Sequence, residues 1–207
     1  MDIVGLLAWL AAAVGTSTAL PQLVKIWRTR VTTGVSTRLW QLSLLNSIAW
    51  VTHGHLTDQP AITWPTLAVA LMQAFILVLV RRAEHRPVPV AFAVPLVLGA
   101  FLIGVDLALG PVAFGLLATI APVLGQLAQL RVMHRAADLF GVSREYLVLN
   151  LASQALWFVH GILAVEWALR ISSGSMTVAC SLTLGYYLWR RIRLAQASAV
   201  VALQPAA

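Results

Sequence analysis

Asn46, Trp50 and His53 are spaced four and three residues apart, and Ser153, Trp157 and His160 repeat that spacing. On a helix this places the three side chains of each set on one face. Each stretch therefore presents an amide or hydroxyl, an indole and an imidazole together. An indole face can cover the C–H surface of a sugar-like solute while amide and hydroxyl groups read its hydroxyls. Imidazole adds a group that titrates near pH ~6.5 when unperturbed. Asp58 follows His53 and Glu166 follows His160, which makes protons a further partner should the histidines titrate. The plainer reading is a neutral histidine at a helix end, bonded to backbone.

Other chemistries lack their parts. The run SSGSM at 172–176 has no intramembrane base and no nucleophile elbow. Two histidines on separate segments lack the third protein ligand that zinc usually takes. No Gly-rich phosphate loop with its Lys occurs, and the single Cys180 cannot form an internal disulfide. The expectation is a protein that is not an enzyme and carries neither metal nor cofactor.

A polar face of this kind must be held by elements that shield it. Of 207 residues, 60% are hydrophobic and only 10% charged, so lipid is the expected solvent for most of the chain. Seven apolar segments can be drawn, at about 3–24, 39–54, 61–80, 88–109, 112–130, 146–165 and 171–189. Roughly 20 helical residues cross a hydrocarbon core of ~30 Å, and the second segment is short for that. No Lys or Arg precedes Lys25, which reads as a first span that stays rather than a signal peptide. With seven crossings, 13 of the 14 basic residues fall on one side and Arg170 alone on the other. Basic loops stay cytoplasmic, so the N-terminus is expected outside and the C-terminus inside, in the plasma membrane. The net charge of +7 then reflects topology and anionic lipid, not nucleic acid. Trp9, Trp27, Trp40, Trp64, Trp167 and Trp189 lie near segment ends, where an interfacial belt is expected.

Shifting the chain by 107 residues brings Gly34-Val35-Ser36 onto Gly141-Val142-Ser143 and Gln22 onto Gln129, with 12 identities in 35 gapless positions. Both Gly-Val-Ser turns lie on the basic side, so two three-span units in one orientation need an extra span to invert the chain. The fourth segment has no repeat partner and takes that role. The expected fold is an all-α integral membrane protein of seven transmembrane helices in 3+1+3 order: 1–86, a linker helix at 87–110, 111–193, and a tail at 194–207. Parallel repeats of this kind place a site between the halves near the midplane.

The stretch ALPQLVKIWRTRVTTGVS, from Ala19 to Ser36, resembles the PQ-loop signature, and with the 3+1+3 order the chain resembles the PQ-loop and SWEET sugar-transporter family. The resemblance implies hinges at Pro21 and Gln22. In the second half the pair reads Ala128-Gln129, so only Gln129 carries over, and Pro122 lies earlier in its span. Proline leaves a carbonyl unpaired where lipid offers no water, and a neighbouring Gln amide is suited to satisfy it. The resemblance also implies that Trp50 and Trp157 line the solute site. Where the family carries Asn in the third span of each repeat, this chain has Thr66 and Ser173; where it carries an aromatic after the Trp, this chain has His53 and His160.

The expected function is a carrier of a small polar solute, sugar or sugar-like, working by alternating access without ATP hydrolysis. Asn46, Trp50, Thr66, Ser153, Trp157 and Ser173 are expected at the solute, His53, Asp58, His160 and Glu166 at the outer gate, and Pro21, Gln22, Pro122 and Gln129 at the inner hinge. Two alternatives stand beside it: a proton-coupled transporter of amino or organic acids, and a non-transporting receptor or accessory protein on the same fold.

Overall fold

Pro21 decides the shape of the first apolar segment. It has no N–H for the carbonyl one turn back, and its ring presses on that turn. In the computed structural model, which describes residues 3–56, 60–165 and 167–202, the segment divides into α1 (Ile3–Ser17) and α2 (Leu20–Thr29). Hydroxyl groups take up carbonyls around the break. Thr16 Oγ1 donates to Ala12 O, Ser17 Oγ to Ala13 O and Thr18 Oγ1 to Gly15 O, each at 2.8 Å. The Gln22 amide is engaged elsewhere and is not needed for this.

The fifth segment divides in the same manner. α6 (Pro111–Ala118) and α7 (Ile120–Arg135) meet at Thr119, whose hydroxyl donates to Gly115 O at 2.9 Å. Thr18 stands three residues before Pro21, and Thr119 three before Pro122. Both prolines thus break their helix at the same register, although Pro21 adjoins Gln22 while Pro122 lies seven residues ahead of Gln129.

The other helices are α3 (Thr37–Leu56), α4 (Pro60–Ala83), α5 (Val88–Leu109), α8 (Arg144–Leu163) and α9 (Trp167–Ala202), and among the described residues there is no strand. Among the described residues, five stretches are long and apolar enough to cross a membrane: Ile3–Thr29, Thr63–Ala83, Val88–Leu109, Val112–Arg135 and Arg144–Leu163. The segments expected at 39–54 and 171–189 form the full-length helices α3 and α9, but neither belongs to that set. Both carry polar residues: Ser43, Asn46 and Ser47 on α3, and Ser172, Ser173 and Thr177 on α9.

Packing follows one order in each half. α4 packs on α3 and on α1 and α2, while α9 packs on α8 and on α6 and α7. α1 and α2 meet α8, and α3 meets α6 and α7. α5 lies against α3, α4 and α6. Buried Leu39, Leu44, Ile76, Leu77, Met133, Leu147 and Tyr187 form the main core. Large apolar side chains such as Leu96, Val97, Phe101 and Leu107 of α5 remain exposed, as a lipid-facing surface requires.

At one end the two Gly-Val-Ser turns touch. Gly141 N donates to Thr33 O at 3.1 Å, and Gly34 holds φ +80°, a conformation open to glycine at little cost. A Cβ on Gly141 would lie 2.6 Å from Thr32 C and from Thr33 N and O. Gly141→Ala should therefore force the turns apart at a cost of ~1–3 kcal/mol and lower the unfolding temperature in detergent. Gly185→Ala, with no atom within 4 Å of the added Cβ, should leave it unchanged or slightly raised.

Candidate functional site

The polar face of α3 is wider than its three starting residues. Ser43, Asn46, Ser47 and Trp50 follow helical spacing, as do Tyr146, Asn150, Ser153, Gln154 and Trp157 on α8. These two faces look into one cavity of about 550 Å³ between the halves, within the ~300–1,000 Å³ range of small-molecule sites. All six residues expected at the solute line it: Asn46, Trp50, Thr66, Ser153, Trp157 and Ser173. Pro122 and His160 line it as well.

Its floor is a ring pair, Trp40 on Tyr146 with centroids 5.1 Å apart. Trp40 is 1% exposed, so this indole belongs to the cavity and not to the interfacial belt expected of it. Trp9, Trp27, Trp64 and Trp189 are exposed, as a belt requires. The side chain of Trp167 lies outside the described residues.

The walls are held by polar contacts between neighbouring helices. Ser47 Oγ donates to Gln73 Oε1 at 2.8 Å, and Asn150 Nδ2 donates to Cys180 Sγ at 3.2 Å; Gln73 and Cys180 are 107 residues apart, the repeat interval. Four buried polar atoms on lining residues have no hydrogen-bond partner among the described residues: Trp40 Nε1, Asn46 Oδ1, Gln126 Oε1 and His160 Nδ1. Such atoms are costly unless water or a ligand meets them. Among the described lining residues there is no Asp, Glu, Lys or Arg.

Below the floor, each glutamine of the repeat binds the turn of the other half. Gln22 Nε2 donates to Gly141 O at 2.7 Å, and Ser143 N donates to Gln22 Oε1 at 2.7 Å. Gln129 Nε2 donates to Gly34 O at 2.7 Å, and Ser36 N donates to Gln129 Oε1 at 2.8 Å. Each turn serine meanwhile accepts a backbone N–H of the helix it opens, Leu39 N on Ser36 Oγ and Tyr146 N on Ser143 Oγ, the bond of a helix N-cap. Lys25 Nζ adds a contact to Val142 O at 2.5 Å.

The histidines part company. His160 faces the cavity and meets Trp157 edge-on, centroids 5.7 Å apart at 84°. His53 meets Trp50 in nearly the same way, 5.5 Å at 85°, but it is buried against α5 and α6, with Nδ1 2.6 Å from Asp106 Oδ2 and its ring stacked on Phe114. Asp58 and Glu166 lie outside the described residues. Arg170, four residues after Glu166, donates to Gly161 O and Ile162 O at the end of α8. Asp106, Phe114, Gln73, Gln126 and Asn150 were not expected at the site from sequence, and Trp40 was expected only in the interfacial belt. For Gln73, Gln126 and Asn150 a signal existed, since each is an amide within an apolar helix. For Asp106 the signal was the sole acidic residue of the linker segment.

The described residues thus form an all-helical protein with membrane-length apolar helices around a polar cavity. Residues 2–81 match the family described as "Sugar efflux transporter for intercellular exchange", a family of membrane transporters and not of enzymes. The match falls within the expected first repeat and is consistent with a SWEET family member. No curated protein matches the chain.

The two glutamine contacts have equal geometry, so Gln22→Ala and Gln129→Ala should destabilise alike. Each leaves a buried carbonyl and N–H unpartnered, at ~1–3 kcal/mol per group. Thermal unfolding in detergent should show two similar downward shifts, and a shift in only one variant would deny the equivalence.

Proposed function

We propose that the protein is a carrier of a small uncharged polar solute of sugar type, moved by alternating access between two three-helix halves without ATP hydrolysis. The observation that carries this reading is the cavity itself: three indoles, several hydroxyls and amides, four polar atoms without partners among the described residues, and no charged side chain among the described lining residues. A carboxylate or zwitterion entering it would lose water without meeting an opposite charge, which costs several kcal/mol. A polyol brings donors and acceptors for the unpartnered atoms and C–H faces for Trp50 and Trp157.

In this reading α1 with α2, α3 and α4 form the first half, α5 is the inverting linker, and α6 with α7, α8 and α9 form the second. The like packing order in each half supports it, and it gives seven crossings with the N-terminus outside a plasma membrane. The glutamine contacts to the Gly-Val-Ser turns close the cytoplasmic end, so opening inward means breaking both. Pro21 and Pro122 supply the bends about which the lower parts of their spans swing. Thr66 and Ser173 offer hydroxyls in place of the amides that the family resemblance implies, leaving Asn46, Asn150 and the glutamines as the amide donors of the site.

Counterflow into proteoliposomes tests this with glucose and sucrose against neutral and acidic amino acids, with and without a pH gradient. Sugar exchange independent of the gradient is expected. Trp50→Ala and Trp157→Ala should each reduce it at least ~10-fold, equivalent to ~1.4 kcal/mol, in protein that stays monodisperse. Exchange of acids alone, or full activity in both variants, would overturn the assignment, and binding without exchange would make the protein a receptor.

A further inference from the structure

Asp106 is a carboxylate in the last turn of α5, a helix with no other charged or polar side chain, and its side chain is only 7% exposed. A buried carboxylate needs a hydrogen-bonded partner. His53 Nδ1, 2.6 Å from Asp106 Oδ2 on a side chain 8% exposed, is that partner. A carboxylate oxygen at this distance calls for the tautomer with its hydrogen on Nδ1, and the contact sets the plane of the ring. In that plane His53 stacks on Phe114, centroids 4.6 Å apart at 10°. Trp50 meets both rings edge-on, 5.5 Å from His53 and 5.1 Å from Phe114.

Three elements meet here: α3 carries Trp50 and His53, α5 carries Asp106, and α6 carries Phe114. α3 begins beside the Gly34–Ser36 turn that Gln129 holds and reaches His53 near its other end, so the ring cluster and the glutamine contacts lie at opposite ends of α3. Separating the halves at this far end means unstacking His53 from Phe114. In the second half, the corresponding His160 lines the cavity instead.

We infer that Asp106 positions the outer gate: by holding the His53 ring against Phe114 it sets how readily α3 and α6 part, which makes the linker helix a working part of the gate and not only an inverting connection. The inference rests on the carrier reading of the cavity, and it assigns Asp106 a positioning role, without contact to solute.

A thiol placed in the cavity reads the gate without any solute. In a Cys180→Ser background, Asn46→Cys supplies that thiol, and its reaction with a membrane-impermeant maleimide added outside intact cells is timed. Asp106→Ala and Phe114→Ala should each speed labelling about tenfold, the effect of losing a hydrogen bond to a charged group or its stacked ring. Asp106→Asn keeps an oxygen that accepts from Nδ1–H and should stay within about twofold of the parent, a rescue that general loosening of the bundle would not give. Asp106→Ala labelling at the parental rate while Phe114→Ala labels faster would overturn the role of Asp106 and leave the cavity reading intact. Asp106→Asn labelling as fast as Asp106→Ala would overturn positioning through this hydrogen bond. A thiol that stays unreactive in every background, yet reacts in denatured protein, would overturn the cavity as an outward route and the gate with it.

Discussion

A turn buried against its neighbours cannot leave its peptide groups bare, because water does not reach them. Each Gly-Val-Ser turn of this protein has such groups, and each finds its partner in the other half: Gln22 on Gly141 O and Ser143 N, Gln129 on Gly34 O and Ser36 N. Neither half can complete its own turn. The primary amide suits this task because one side chain supplies both a donor and an acceptor. Everything above this end of the bundle follows from the registry so imposed, since α3 and α8 both start from the serines of these turns and carry their polar faces to the same height in the cavity.

In the proposed carrier, the helix breaks are what would give that registry freedom to change. A continuous helix would carry any movement of Gln22 or Gln129 along its full length. A span broken at residues 18–19, or at Thr119, can bend with its local hydroxyl bonds already made. The two spans are not identical in this respect, because Pro122 lines the cavity while Pro21 sits beside the turn contact. The lever arm between break and glutamine is thus longer in the second half.

Much of this was legible in the sequence where it depended on period and repetition. The interval of 107 residues placed Gln129 opposite Gln22 and Trp157 opposite Trp50, and helical spacing put Asn46 with Trp50 and Ser153 with Trp157 on faces that do line one cavity. What the glutamines bind was not legible, because their partners lie in the other repeat, far along the chain, and are backbone atoms without a sequence signature. Trp40 was misread for a related reason: nearness to a segment end suggests an interface, whereas its burial comes from Tyr146 across the halves. Asp106 was not connected with His53 because it sits in the helix that has no counterpart, where repetition offers no second copy to compare.

That lack of a counterpart breaks the symmetry of the cavity. Repetition alone would give two like histidines at one mouth, and the Trp–His geometry is indeed nearly the same in both halves. α5 lies against α3 and α6, so its carboxylate reaches His53 and draws that imidazole out of the cavity and onto Phe114. His160 keeps the cavity-facing place. Two copies of one motif thereby have different surroundings, one packed between helices and one facing the cavity, through a single helix that belongs to neither copy.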